Sequence, residues 1–186
     1  MVVDQSTANC TNKLPGQETT NEVEVVKLLP GEVYGTSQQE EIVTIIGSCV
    51  ATCLWDPIAK VGGMNHFMLP ETKKQINVYS VNASQSPVRM LMGRYGNFAM
   101  FYLIEALLEK GAHLHHLQAK LFGGAKMITH MSDIGKINAE YAVNYLKEVE
   151  IPIVASHLFG SFARKITFEP WSGVVKMREL SSVYQM

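Results

Sequence analysis

The chain has 186 residues, of which 47% are hydrophobic and 18% charged, and its formal net charge is -1. This length fits one domain, and the composition supplies enough apolar side chains for a sizeable core. No basic cluster is longer than a pair such as Arg164-Lys165, so no basic face for nucleic acid is expected. No run of about 18 apolar residues predicts a membrane-spanning helix, and residues 1–22 lack the pattern of a secretory signal. We therefore expect a cytoplasmic protein without membrane insertion.

Residues 1–22 are polar and without period, which predicts a flexible arm before a single domain over residues 23–186. Runs of β-branched residues bounded by Gly or Pro predict strands, and longer apolar segments predict helices. Hairpins with two main helices indicate an α+β fold, an α/β sandwich in which helices cover largely antiparallel mixed sheets. In chain order, the sequence predicts strands over 23–29, 41–46, 49–55 and 61–69, a loop over 70–94, a helix over 97–110, a strand over 117–122, a helix over 138–148, and strands over 151–157, 164–168 and 174–180.

One predicted hairpin brings a thiol to an imidazole. Asp56-Pro57 is a strong turn signal between the third and fourth strands. If the turn is centred between Pro57 and Ile58, Cys49 lies opposite His66, and opposed residues have Cα atoms about 4.5–5.5 Å apart. A bulge or a different loop length would shift this register.

A cysteine beside a histidine is the arrangement that covalent amide chemistry requires. The imidazole of His66 would hold the thiolate of Cys49 ready and later protonate the leaving ammonia. Gly47-Ser48 frees the backbone to turn, and the N–H of Cys49 is then available to bind an oxyanion. Taken singly, each residue is more typical of a packed core cysteine or a hydrogen-bonded core histidine.

The stretch G-S-C-V-A-T-C-L-W-D-P-I-A-K-V-G-G-M-N-H-F-M-L-P (47–70) resembles the CheD family of chemoreceptor glutamine deamidases. L-L-P-G-E-V-Y (28–34), R-Y-G-N-F-A-M (94–100) and L-Q-A-K-L-F-G-G-A-K-M (117–127) extend the match to most of residues 25–180. The resemblance implies a compact α/β sandwich, which is shared with a bacterial toxin that deamidates glutamine in small GTPases.

The resemblance also implies roles for individual residues. Cys49 would be the nucleophile, His66 the general base and acid, and Thr44 the residue that orients the imidazole. The implied reaction converts a glutamine of a methyl-accepting chemotaxis receptor to glutamate with release of ammonia, and no cofactor is expected. The implied partners are these receptors and, in some species, a CheC-type phosphatase of the response regulator. Three further residues of the motif are predicted to contact the substrate: Ser48, Gly63 and Asn65.

One segment departs from the family pattern and leaves alternatives open. Residues 156–168 carry His157, Phe159 and Phe162 where smaller or acidic residues are usual. These bulkier groups favour a catalytically weak adaptor that binds chemoreceptors or a CheC-type phosphatase. A third alternative is a cysteine peptidase, since it would use the same thiol chemistry.

The other cysteines and histidines do not predict a metal centre. Cys49 and Cys53 have no second pair beside them, so a structural zinc site is not expected. The cluster of His113, His115 and His116 is more typical of a solvated loop at a helix end than of a metal site. We expect Cys53 to be a packed core residue.

Overall fold

The computed structural model describes residues 23–72, 87–127 and 133–180. The predicted N-terminal arm and part of the predicted loop over 70–94 lie outside these ranges. The elements in chain order are β1 (Glu24–Lys27), β2 (Val33–Thr36), β3 (Glu40–Ile46), β4 (Val50–Asp56), β5 (Val61–Phe67), α1 (Pro87–Met92), α2 (Gly96–Glu109), a 3-10 turn (Leu114–His116), β6 (Gln118–Gly123), α3 (Ile134–Glu148), β7 (Ile153–Leu158), β8 (Ala163–Phe168) and β9 (Val175–Leu180).

The strands of the described chain form two sheets. The four-stranded sheet has the order β1-β3-β8-β9, and the five-stranded sheet has the order β2-β5-β4-β6-β7. Two strand pairs are parallel, β1 with β3 and β6 with β7, and the others are antiparallel. The predicted α+β class, with mixed sheets and two main helices, is confirmed.

The five-stranded sheet lies in the middle of the molecule and is covered on both faces. Its strands β4 and β5 are buried along their whole length. Because successive side chains of a strand point to opposite faces, β4 divides its residues between two cores. Val50 and Leu54 pack towards the helices, whereas Ala51 and Cys53 pack towards the four-stranded sheet. The burial predicted for Cys53 is confirmed, since its side chain is fully enclosed.

The two predicted helices begin earlier in the chain than predicted, and a third, short helix was not predicted. The last helix begins at Ile134 and not at residue 138, because the side chain of Asp133 accepts a hydrogen bond from the N–H of Lys136 and caps the first turn. The short helix α1 lies within the segment predicted to be a loop. None of the helices in the described ranges is long and apolar enough to cross a membrane.

The register of the β4–β5 hairpin differs from the prediction. Asp56 pairs with Val61, so the turn contains four residues, and Ala51 lies opposite His66. The prediction that Cys49 faces His66 is therefore wrong. The partner of His66 is shifted by two residues, and a shift of two preserves the face of the sheet. Cys49 also lies just outside β4, in the bend that follows β3.

The carboxylate of Asp56 explains why the turn lies one residue later in the chain than predicted. Its Oδ1 accepts the N–H groups of Ile58 at 2.8 Å and Ala59 at 3.0 Å, and its Oδ2 accepts the N–H of His113 at 2.9 Å. Burial by itself would raise the pKa of Asp56, but these N–H donors hold the pKa below its usual value. A buried, ionised carboxylate thus fixes the turn that sets the register beside His66.

Replacing Asp56 by alanine should lower the free energy of unfolding by about 2–4 kcal/mol, because three N–H groups lose their buried acceptor. Asp56→Asn keeps one acceptor oxygen in the same shape and should cost roughly half as much. Urea unfolding followed by circular dichroism measures both variants. Wild-type stability in the alanine variant would show that the turn does not depend on the carboxylate.

Candidate active site

A buried hydrogen bond between the two sheets holds the predicted histidine. Thr44 lies on β3 of the four-stranded sheet, and His66 lies on β5 of the five-stranded sheet. The Thr44 Oγ1 and His66 Nδ1 atoms are 2.9 Å apart, and both side chains are buried. The backbone of His66 is fixed as well, since its N–H donates to Glu32 and its carbonyl accepts from Gly31. The structure therefore brings together two of the three residues predicted to act in catalysis.

The partners of Thr44 determine which nitrogen of His66 carries the proton. The hydroxyl of Thr44 donates its single proton to the carbonyl of Leu28 at 2.8 Å. Its oxygen can therefore only accept a hydrogen bond from Nδ1–H of His66. In this tautomer Nε2 carries the free lone pair, and Nε2 is buried without a hydrogen-bond partner among the described residues. His66 is thus arranged to act as a base through Nε2.

Cys49 packs on the side of β4 that faces the four-stranded sheet. Its half-buried side chain packs against the inter-sheet cluster that includes Ala51, the residue opposite His66. Its carbonyl accepts the N–H of Gly124 at 2.8 Å. Gly123 has a φ of 114°, and a side chain there would collide with the Cys49 carbonyl. Glycine at this position therefore lets β6 approach the loop that carries Cys49.

The surroundings of the thiol and the imidazole favour their uncharged forms. Burial raises the pKa of Cys49 above its usual value, and the opposing effect of its own N–H is smaller. Burial lowers the pKa of His66 to about 4. The structure of the free protein therefore favours a neutral thiol and a neutral imidazole over the preformed thiolate that the sequence suggested.

Two residues predicted to contact the substrate lie on the other face of β5 from His66. Asn65 is fully buried towards α2, where its Oδ1 accepts the N–H of Thr52 and its Nδ2 donates to the sulfur of Met100. Gly63 is buried against the backbone of β2. The geometry therefore does not bring Asn65 or Gly63 to the Cys49 side. Ser48, the third predicted contact, is half-buried and adjoins Cys49.

A buried arginine organises the segment that departs from the family pattern. Arg164 is 1% exposed, and its Nε donates to His157 Nδ1 at 2.8 Å. Its two other nitrogens donate to the carbonyls of Phe162 and Phe159. Sequence reasoning dismissed Arg164 as half of a short basic pair. The sequence signal for its burial was its spacing of two and four residues from Ile166 and Phe168, which are buried on the same face of β8.

A cavity of about 350 Å³ adjoins the cysteine loop. Gly124, which binds the Cys49 carbonyl, forms part of its wall, and so does Phe159 of the divergent segment. The segment that distinguishes this sequence is therefore close to the loop that carries the thiol. The residues that line the cavity are Gly124, Lys126, Asp133, Lys136, Phe159 and Gly160.

Two of the three histidines after α2 lie close to Asp56, the residue that caps the β4–β5 turn. The N–H of His113 binds Asp56, the ring of His116 lies 3.4 Å from the same carboxylate, and His115 is exposed. Within the described ranges, no group of three or more His, Cys, Asp or Glu side chains is placed to hold a metal ion.

Comparisons with known proteins agree with this architecture. Residues 68–179 match the family model described as CheD chemotactic sensory transduction. A protein of Shewanella oneidensis, named probable chemoreceptor glutamine deamidase CheD 1, is 42% identical over 86% of this chain and 74% of its own length. The chain belongs to the CheD family. A relative from Dechloromonas aromatica, named probable chemoreceptor glutamine deamidase CheD 1, is 40% identical over 87% of this chain and 76% of its own length. A relative from Saccharophagus degradans, named probable chemoreceptor glutamine deamidase CheD, is 41% identical over 83% of this chain and 70% of its own length.

The two kinds of comparison cover different parts of the site. The family model begins at Met68 and so does not include Thr44, Cys49 or His66. The alignments to individual relatives cover more than four fifths of the chain, which is too much to leave these residues outside. The similarity to these relatives thus includes the segments that carry Thr44, Cys49 and His66.

The pKa of His66 predicts a pH dependence of stability. Unfolded histidine has a pKa of about 6.5, so between that value and the folded value of about 4 the unfolded state binds more protons. Stability is therefore lost as pH falls through this window, by up to about 3 kcal/mol. His66→Asn keeps a donor near Thr44 but does not titrate. Urea unfolding near pH 7 and near pH 4 should show a larger loss in wild type than in this variant, and equal losses would contradict a depressed pKa.

Removal of the Thr44 hydroxyl should allow the proton of the neutral His66 ring to move from Nδ1 to Nε2. Thr44→Val leaves the Leu28 carbonyl and the Nδ1–H group without partners, at a cost of about 1–3 kcal/mol in the free energy of unfolding. Long-range proton–nitrogen NMR of the His66 ring should shift towards the Nε2–H form. Thr44→Ser retains the hydroxyl and should keep the wild-type signals. An unchanged ring spectrum in the valine variant would mean that Thr44 does not select the tautomer.

Proposed function

We propose that this chain is a protein-glutamine deamidase that converts glutamine side chains of chemoreceptors to glutamate and releases ammonia. The observation that carries the proposal is the state of His66, whose Nδ1 is bound to Thr44 while its buried Nε2 has no hydrogen-bond partner among the described residues. Cys49 packs on the cluster that contains Ala51, the residue opposite His66. The names of the CheD relatives supply the substrate class, chemoreceptor glutamine.

The first half of the proposed reaction releases ammonia. Cys49 Sγ attacks the amide carbon of the glutamine side chain, and His66 Nε2 takes the thiol proton. The carbonyl oxygen becomes an oxyanion, for which the N–H of Cys49 is the proposed donor. The carbon–nitrogen bond then breaks, His66 returns the proton to the leaving nitrogen, and ammonia departs from a thioester.

The second half regenerates the thiol. A water molecule attacks the thioester carbon while His66 Nε2 removes one of its protons. The carbon–sulfur bond breaks, the sulfur regains the proton from His66, and the product is a glutamate side chain. Throughout, Thr44 holds the ring so that Nε2 is the nitrogen that exchanges protons.

Burial of both groups supports this order of proton transfer. A neutral imidazole takes the proton as the carbon–sulfur bond forms, so no charged pair has to exist in the empty site. The resulting imidazolium is a strong acid, because burial disfavours its charge. It therefore protonates the leaving nitrogen readily. We expect kcat/KM to fall at acid pH only as His66 becomes protonated.

The cavity beside the cysteine loop is the proposed position of receptor residues around the target glutamine. Phe159 offers an apolar wall, and the charged residues of the lining have both signs, since Asp133 lies there with Lys126 and Lys136. A second candidate function is an adaptor that binds chemoreceptors or a CheC-type phosphatase with little catalysis. The half-exposed rings of Phe159 and Phe162 favour that alternative, since they present an apolar surface beside the site.

Ammonia release from receptor cytoplasmic fragments tests the proposal. Wild type should release ammonia and raise the fragment mass by the difference between an amide NH2 and an OH group. Cys49→Ala and Cys49→Ser should lower the rate by at least about 10³-fold, because the covalent step is lost. Coupled ammonia detection and mass spectrometry of the fragments measure both products.

Cys53→Ala is the matched control, because Cys53 is a fully buried thiol whose pKa burial raises. This variant should keep the wild-type rate. A folded wild-type protein that binds receptor fragments but releases no ammonia would overturn the deamidase proposal and favour the adaptor. Full activity in Cys49→Ala would overturn the assignment of the nucleophile.

A further inference from the structure

The strands that lead to the thiol and the imidazole diverge at the site. The β4–β5 ladder ends at the pair of Val50 and Phe67. Beyond this pair, the carbonyl of Cys49 accepts a hydrogen bond from the backbone just after β6. On the other branch, the N–H of Met68 donates to the carbonyl of Arg94. The cysteine loop and the end of the histidine strand therefore follow different neighbours and form a fork.

One side chain bridges this fork. Asn138 lies on α3 and is fully buried. Its Nδ2 donates to the carbonyl of Ser48 at 3.1 Å and to the carbonyl of Met68 at 2.9 Å. Ser48 directly precedes Cys49, and Met68 follows His66 by two residues. A single amide group thus connects the backbone on both sides of the proposed reaction centre.

The orientation of this amide is determined by its neighbours. Two carbonyl acceptors require the nitrogen of Asn138 and use both of its protons. Its Oδ1 is consequently buried without a hydrogen-bond partner among the described residues. An apolar side chain would avoid the cost of that oxygen, but it could not bind either carbonyl. The arrangement is therefore explained by the two carbonyls and not by packing alone.

We propose that Asn138 is a positioning residue for the deamidation reaction, holding the Cys49 loop at a fixed distance from the strand that carries His66. This inference rests on the proposed function. Asn138 acts through the backbone on both sides of the fork and exchanges no proton with the substrate. Its loss lets the two branches move apart, and a displacement of about 1 Å between reacting groups can cost about 10²-fold in rate.

The variants are chosen to separate positioning from stability. Asn138→Ala removes the bridge, Asn138→Asp replaces the donor by an acceptor of equal shape, and Asn138→Ser keeps one donor. Exposed Asn144 on the same helix takes the same alanine and aspartate substitutions as a control. Ala142→Gly weakens α3 at a buried position without touching either carbonyl.

Three measurements are made on the full chain: kcat and KM for ammonia release, the melting temperature, and the pH dependence of Cys49 alkylation by iodoacetamide, followed by peptide mass spectrometry. Asn138→Ala and Asn138→Asp should lower kcat by about 10- to 100-fold with little change in KM. The alkylation profile of Cys49 should shift to lower pH, because movement of the loop exposes the thiol to water and relieves the burial that raises its pKa. Asn138→Ser should give an intermediate kcat, and the Asn144 variants should match wild type.

The outcomes distinguish this inference from the proposed function. If kcat and the alkylation profile change no more in the Asn138 variants than in Ala142→Gly, Asn138 is only a structural residue and the inference is overturned. If wild type itself releases no ammonia, the proposed function fails, and the alkylation profile decides alone. A profile shifted in Asn138→Ser or Asn138→Asp then supports positioning, and an unshifted profile overturns it.

Discussion

The hydrogen bond between Thr44 and His66 is the interaction on which the site depends, because it joins two separate sheets in a buried space. Thr44 can only accept a hydrogen bond from His66, and cannot donate one, because its own proton is already donated to Leu28 on the neighbouring segment. The packing of one sheet on the other therefore selects the tautomer of the imidazole. The ring of His66, the proposed base, is held by the core of the fold, and any change that separates the sheets also frees the ring.

Burial gives the site its proton chemistry as well as its geometry. The same exclusion of water raises the pKa of Cys49 and lowers the pKa of His66, so neither group carries charge in the free protein. A preformed ion pair would require both charges to be desolvated before the substrate arrives. In the neutral pair, charge develops only during the attack, when the oxyanion and the imidazolium can compensate each other.

Local sequence patterns predicted most of the elements and their faces, although not β2 or α1, but they did not predict the alignment of the elements. Alternation and turn residues identified β4, β5 and the face shared by the thiol and the imidazole. The register was missed because the turn lies one residue later than predicted: the carboxylate of Asp56 binds the N–H groups of Ile58 and Ala59, and it is also held by His113, which lies 57 residues later in the chain. Asn138 was placed only at the start of a helix, since its acceptors Ser48 and Met68 are 90 and 70 residues away. No local period encodes such contacts, although Asn138 lies on the same helix face as the buried residues Ala142 and Leu146.

The divergent segment lies at the wall of the cavity, where a substrate would bind, and not at the residues proposed to carry out the reaction. Arg164 holds the segment around residues 157–162 by its carbonyls, and Phe159 thereby reaches the cavity beside the cysteine loop. The hydrogen bonds of Arg164 go to His157, Phe162 and Phe159, whereas Thr44 and His66 bind each other in the core between the sheets. Larger side chains in this segment change the wall that a substrate meets and leave the imidazole as it is. We therefore expect the departures from the family pattern to alter which glutamine is reached, while the proposed steps at the thiol stay the same.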